Sequence, residues 1–379
     1  MPTKYDVFAA VIERAPCSPA DLPFLVPVHA HLRSLEQDQL VRKENRQYVP
    51  TSNERAQIMF RIIQYCLKNG LDYNVFFSKN MPLVLQEVFA QSPVLRSQAL
   101  SGNKTITELL RFLEQHQFIL LTKQRPKRGV VMRHQLFERV KELHKLNTDT
   151  AQPTFIPVQD KLIDVHAAPL NPFDDKVFTF LAGSAQLEGS TVTVGETREM
   201  ILQDIYPDKP KKDIQMVKNL NEALRYMLEH QENPITPEHI QEINKAVLFS
   251  LHRNAGKYKK THNKIQGNPS FKTAHPTKVP LLTAQYCSFL RSIQDKETCL
   301  RQLGRIHNEL QHIHPFSDGN SRTTRMIVNW MLMKHQLPLL TLKVGCYDAY
   351  MRLTKLSHKR DDEQLTLLVQ QVLYHEHIV

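Results

Sequence analysis

The segment "HPFSDGNSRTTR", residues 314–325, sets an imidazole, a carboxylate, a Gly-Asn pair and two guanidiniums within twelve positions. Such a set suits phosphate chemistry. Arg322 and Arg325 are three apart, so on a helix both can face the same side. Arginines in a first helical turn oppose the macrodipole, and a bound anion offsets that disadvantage. Asp318 is near enough in sequence to hold a magnesium ion between phosphates. His314, at the head of the segment, can take a proton from an attacking hydroxyl as a neutral imidazole. Phe316, the lone large apolar residue here, is expected to anchor the segment in a core. Together these groups describe a site that binds a nucleotide polyphosphate and activates a nucleophile.

The flanking residues say what must hold them. Upstream, "LRQLGRIHNELQHI" carries Leu300, Leu303, Ile306, Leu310 and Ile313 on one helical face. Pro315 and the Gly319-Asn320 pair forbid simple continuation of that helix, so a tight loop is expected. The apolar period resumes in "TRMIVNWMLMKHQL", and a second helix is expected to begin near Ser321. In this helix–loop–helix the loop amides and the second N-terminus face one space, an arrangement that favours phosphate.

The segment resembles the Fic signature H-x-F-x-(D/E)-G-N-G-R-x-x-R at every fixed position but one. Fic proteins typically transfer AMP from ATP to a Ser, Thr or Tyr hydroxyl of a target protein. The resemblance implies His314 as general base and Asp318 as the Mg2+ ligand. It implies Gly319, Asn320 and the amide of Ser321 as a phosphate cradle, with Arg322 and Arg325 on the outer phosphates. Asn329 falls where the family's helix places an asparagine near the base. "CYDAYMRL" resembles a later tyrosine-containing helix, with Tyr350 either an adenine neighbour or a core residue. "AGKYKKTHNKIQGNPSFKTAHPTKVP" resembles the Gly-x-Tyr-(Arg/Lys) stretch and flap hairpin, centred on Lys264, Ile265, Gln266 and Gly267. A flap of this kind can pair with a target's backbone by strand addition.

Two further features bear on activity. "SAQLEG", residues 184–189, resembles the inhibitory motif (S/T)-x-x-x-E-(G/N) of autoinhibited Fic proteins. Ser184 and Glu188 are i, i+4 and share a helical face, so Glu188 would pair with Arg325 in a charge-assisted bond, single or bidentate, and deny it to the triphosphate. In some family members such a glutamate positions water for removing AMP, which the resemblance makes a second activity. The departure from the signature is Ser321, where the family has glycine. Glycine permits unusual dihedrals and close approach of backbone to ligand. Serine there either crowds a phosphate or, at a helix start, caps an amide or donates to a phosphate oxygen.

The remaining chain gives the setting. At 379 residues two or three domains are expected. Residues 1–52 resemble a winged helix-turn-helix, with a short helix at "SPADL" and "VHAHLRSLEQD" in the recognition slot. His29, His31, Arg33, Arg42, Lys43 and Arg46 would then meet DNA; a protein-interaction role is the other reading. Residues 53–146 read as a helical region with a second strand-turn-strand in "LLTKQRPKRGVVMRH", whose Lys123, Arg125, Lys127, Arg128 and Arg133 form the densest basic cluster. Residues 147–175 read as a linker lying along the next domain, and 176–379 as the Fic domain with its inhibitory helix. The fold class expected is mainly α: an all-α Fic core with a small β-hairpin flap, preceded by a winged-helix-like region.

A net charge of +11 fits a polyanionic partner such as nucleotide, nucleic acid or an acidic protein surface. Five scattered cysteines without a C-x-x-C pair point to a reducing compartment and away from a disulfide framework or structural zinc. No apolar run suits a membrane span, and "MPTKYDVFAAVIERAP" lacks a signal-peptide core. The expected setting is therefore the producing cell's cytoplasm, or a host cell and its nucleus after delivery. The expected partners are ATP, a hydroxyl-bearing target protein, DNA through the N-terminal region, and a second copy in a homodimer. The reading from another class is a nucleotide-sensing DNA-binding regulator whose Fic core binds ATP without transferring AMP.

Overall fold

A computed structural model of the chain describes residues 1–90, 94–96, 104–124, 127–147, 152–265 and 267–379. It is mainly α-helical with two small antiparallel sheets. Among the described residues no helix is long and apolar enough to cross a membrane. The contacts gather into two units.

The first unit opens with helix Lys4–Arg14, where Thr3 and Asp6 cap each other's backbone amides. Val7 and Val11 form its buried face. Helix His29–Gln37 buries Leu32 and Leu35, with Val28 buried just before it, as the i, i+4, i+7 spacing predicts. A hairpin of Val41–Glu44 and Gln47–Pro50 follows. Its turn residues Asn45 and Arg46 both have positive φ, the requirement of a type I′ turn that matches strand twist. The helix expected at "SPADL" is instead a three-residue 3-10 turn, Pro19–Asp21. Pro23 disfavours helical backbone at Leu22, which is extended (φ −80°, ψ 143°), so the turn stops there. His29, Arg33, Arg42, Lys43 and Arg46 are exposed and His31 is half-buried. Helices Glu54–Lys68, Met81–Ala90 and Gln135–His144 also belong to this unit.

The second unit carries the helix–loop–helix. Its helices include Asp175–Gln186, Val194–Gln203, Lys211–Glu229, Pro237–Val247, Val279–Ser292, Lys296–Ile313, Asn320–Lys334, Val344–Leu353 and Asp362–Ile378. Helix Asn320–Lys334 is buried along most of its length. Arg322, Thr323, Thr324, Arg325 and Asn329 are therefore polar groups in a core, each of which must find a partner or a ligand.

The basic strand-turn-strand expected near 120–133 is present as Ile119–Gln124 and Lys127–Val131, with Val94–Arg96 on the outer edge of the latter. Contacts group it with the second unit, whereas the sequence reading placed it in the helical region before the linker. The reason is its apolar content: Phe118, Ile119, Leu120, Leu121, Val130 and Val131 are buried. The C-terminal helix holds it through His375, whose Nδ1 accepts from the Leu121 amide at 3.0 Å while Nε2 lies 2.9 Å from the Glu114 carbonyl. Lys123, Arg128 and Arg133 are exposed; Arg125 and the Lys127 side chain lie outside the described residues. Of the expected linker, residues 152–175 lie along this unit. Phe155, Val158, Leu162 and Val165 are buried there around a short helix, Gln159–Ile163.

Candidate functional site

His314 follows the last residue of helix Lys296–Ile313 and adopts left-handed backbone (φ 49°, ψ 60°), with its amide still bonded to the Leu310 carbonyl. That conformation is uncommon outside glycine, and it turns the chain sharply into the loop. His314 Nδ1 lies 3.1 Å from the Gln311 carbonyl. A carbonyl only accepts, so the proton sits on Nδ1 and Nε2 keeps its lone pair. Burial pushes the imidazole pKa down to about 4; the Gln311 bond opposes this, and the nearby Lys259 and Lys355 charges reinforce it. At neutral pH His314 is an uncharged acceptor.

The loop is built around Phe316, which is fully buried. Asn320 closes it: its Oδ1 accepts from the Phe316 amide at 2.9 Å and its Nδ2 donates to the Phe316 carbonyl at 2.8 Å. Asn244 Nδ2 donates to the Asp318 carbonyl, and Asn263 Nδ2 to those of Phe316 and Ser317. Gly319 has φ 75°, and a Cβ there would lie 3.0 Å from both Asn244 Nδ2 and Leu248 Cγ. Both conformation and space call for glycine. The second helix begins at Asn320, one residue before the expected start. The Thr323 amide bonds back to Gly319, and the amides before it have no intrahelical acceptor.

A cavity of about 190 Å³ lies over this loop. His314, Asp318, Gly319, Asn320, Ser321, Lys264, Ile265 and Glu188 from the sequence reading all line it, with Asn263, Gln311, Ser317 and Lys355. Ser321 is half-buried, and its hydroxyl lies 3.3 Å from Gln311 Nε2. The Asp318 carboxylate accepts from the Gly319 amide at 2.6 Å and stands 3.5 Å from Arg322 Nη2. Arg322 is buried, and its Nε and Nη1 have no hydrogen-bond partner among the described residues. A buried guanidinium with two unpaired nitrogens is unfavourable unless an anion joins it. Among the described residues no three His, Cys, Asp or Glu side chains cluster as a metal cage. Mg2+ needs none, since one carboxylate with phosphate oxygens and water suffices, and Asp318 fits that part.

Arg325 is engaged through Nε and Nη2. Its Nε donates to Ser184 Oγ, and its Nη2 to the Ser184 carbonyl and to Glu188 Oε1, each at 2.9 Å. The spacing predicts one helix through Ser184 and Glu188, but helix Asp175–Gln186 stops two residues short of Glu188. Leu187 keeps helical dihedrals and Gly189 breaks them with φ 93°, so the carboxylate still falls on the Ser184 side. The pair uses one oxygen rather than a two-pronged geometry; Oε2 instead lies 3.6 Å from Lys355 Nζ. Burial works to raise the Glu188 pKa, but Arg325, Lys355 and Arg322 outweigh it and hold the carboxyl below its ordinary value. Gly183 allows this helix to seat, for a Cβ there would lie 2.3 Å from the Leu342 carbonyl oxygen.

Asn329 and Tyr350 lie away from the cavity lining. Asn329 donates to the Arg325 carbonyl at 3.0 Å and accepts from the Leu340 amide at 2.7 Å. Tyr350 is buried with its hydroxyl 2.6 Å from His307 Nε2. Both are core side chains here. At the flap, Ile265 and Asn268 pair across a turn with Gly267 at φ 82°; Gln266 lies outside the described residues. Lys355 and Gln311 were not legible as site residues, because no motif surrounds them, and Asn263 fell one position before the residues on which the flap was centred. Asn244 carried a signal: it interrupts the apolar face formed by Ile240, Ile243 and Val247.

Residues 234–332, which contain the loop and most of its supports, match the Fic/DOC family. Similar curated proteins include the protein adenylyltransferase Fic of Nematostella vectensis, 27% identical over 270 residues, covering 65% of this chain and 61% of that protein. That of Drosophila grimshawi is 26% identical over 211 residues, covering 54% of this chain and 43% of that protein. The chain thus spans less than two-thirds of the length of these relatives. Similar solved structures include a Fic domain containing signaling protein from Bacteroides thetaiotaomicron (20% identity, TM-score 0.48, 58% of this chain and 92% of that one). Fic-1 of C. elegans is another (19% identity, TM-score 0.45, 93% of this chain and 94% of that one).

Proposed function

We propose that the chain is a protein adenylyltransferase of the Fic family, using Mg2+ and ATP and restrained by its own Glu188. The observation that carries this is His314: a neutral imidazole, fixed through Nδ1 so that Nε2 keeps its lone pair, lining the same cavity as Asp318 and the loop residues Gly319, Asn320 and Ser321. The names of the similar proteins support the same reaction. Nε2 takes the target hydroxyl's proton as the oxygen bonds to the α-phosphorus of ATP, and the bond to the β-phosphate oxygen breaks to release pyrophosphate. Loop amides and Arg322 hold phosphate oxygens, while Asp318 would hold Mg2+, which when bound would supply positive charge to offset that on the leaving group. The flap residues Lys264 and Ile265 border the cavity, where they can align a target strand.

Glu188 acts as the brake. With Arg325 spent on Ser184 and Glu188, that guanidinium cannot hold the outer phosphates. In the open enzyme His314→Ala lowers AMP transfer by about 10²–10⁴-fold and leaves ATP binding in place. Transfer of label from ATP, read beside calorimetric binding, checks this. Undiminished transfer would refute the proposed base, whereas a protein that only senses nucleotide would show no transfer before or after the change.

A further inference from the structure

Lys355 lines the cavity but belongs to no motif, following helix Val344–Leu353 in an irregular turn. Its Nζ stands 3.6 Å from Glu188 Oε2, an ion pair too long to be a hydrogen bond. One carboxylate thus serves two cations: Oε1 meets Arg325 at 2.9 Å and Oε2 faces Lys355. The backbone that delivers this amine is fixed. Asn268, a buried flap residue, donates through Nδ2 to the carbonyls of Lys355 at 3.1 Å and Ser357 at 2.7 Å.

Resting on the adenylyltransferase reading, we propose that Lys355 is an additional nucleotide-binding residue, masked by Glu188 and released to a phosphate oxygen of ATP when that glutamate withdraws. Three observations converge on it. The charged side chains lining the cavity are Glu188, Asp318, Lys264 and Lys355, so removal of Glu188 leaves the lining cationic on balance. The side chains of Lys355 and Arg325 are only 22% and 4% exposed, and neither charge is well solvated once its carboxylate partner leaves. A triphosphate supplies the compensating charge in the same space. Lys355 and His314 also line the same cavity, so the amine shares the space that the reacting end of the nucleotide would occupy.

The test uses the full chain and Mg-ATP, with affinity read by calorimetry so that no transfer is needed. In the Glu188→Gly form, Lys355→Met raises the ATP Kd by about tenfold, the scale of one charge-assisted hydrogen bond, and Lys355→Arg restores it. With Glu188 present the same change alters the Kd by less than about twofold, because the amine is already occupied. The KM for the target stays unchanged in the Glu188→Gly, Lys355→Met form. The Asn268 bonds reach backbone carbonyls, so both variants keep the tether and their melting temperatures report on folding. An unchanged Kd in the open form, an equal loss in both backgrounds, or a shift in target KM alone would overturn the assignment. If the Kd responds as stated while no form transfers AMP, the adenylyltransferase reading fails and the Lys355 assignment stands.

Discussion

The reactive group of this site owes its state to tertiary surroundings. In the sequence His314 is one of 18 histidines, distinguished by its motif neighbours. Burial and two lysines then lower its pKa to about 4 and keep it neutral, while the Gln311 carbonyl, which opposes that shift, fixes the proton on Nδ1. Protonation removes the lone pair, so the proposed activity would be present above that pKa and lost as pH falls through it. The kcat/KM for AMP transfer, which reports the free enzyme, should stay level from pH 7 to about pH 5 and fall only near pH 4. A limb near pH 6.5, the ordinary imidazole value, would show that this environment does not persist in the working enzyme. The motif residues were legible because their chemistry is local and their spacing tight. Lys355 was not, because what makes it part of the site is a contact with Glu188, distant in the sequence. Ser321 sits between these cases: its departure was visible, but its contact with Gln311 depends on where the preceding helix ends.

At the scale of elements, apolar periodicity located the two helices that frame the loop and their sharp break at Pro315. It placed the second helix one residue late and ran the helix through Ser184 two residues too far, since terminal turns depend on capping contacts rather than on the periodic stripe. The helix Asp175–Gln186 nonetheless presents Ser184 and Glu188 to Arg325, and it does so because Gly183 lets it approach Leu342. Gly183→Ala forces the two backbones apart. The expected result is a loss of about 1–3 kcal/mol in stability, as for other overpacked contacts, together with a rise in basal AMP transfer as Glu188 is drawn from Arg325. Denaturant unfolding and ATP labelling on the same variant check both parts. Lower stability with unchanged labelling would mean that the helix does not control access to Arg325.

For the molecule as a whole, the mainly helical class was legible and the grouping of its parts was less so. The hairpin Ile119–Val131 looked like a basic wing because its charges stand out in the sequence. Its buried residues and its tie to His375 make it part of the unit that carries the site. Linear patterning cannot show that a strand edge will be met by an imidazole some 250 residues later. The proposed function puts AMP transfer and its restraint by Glu188 in one cavity of that unit. The most direct measurement is label transfer to protein by the parent and Glu188→Gly forms, using ATP labelled at the α- or the γ-phosphate. Glu188→Gly should raise protein-bound α-label by roughly 5–150-fold, the span of an ordinary regulatory coupling, and incorporate no γ-label. Equal α-labelling by the two forms would contradict the brake, and incorporation of γ-label would contradict AMP transfer itself.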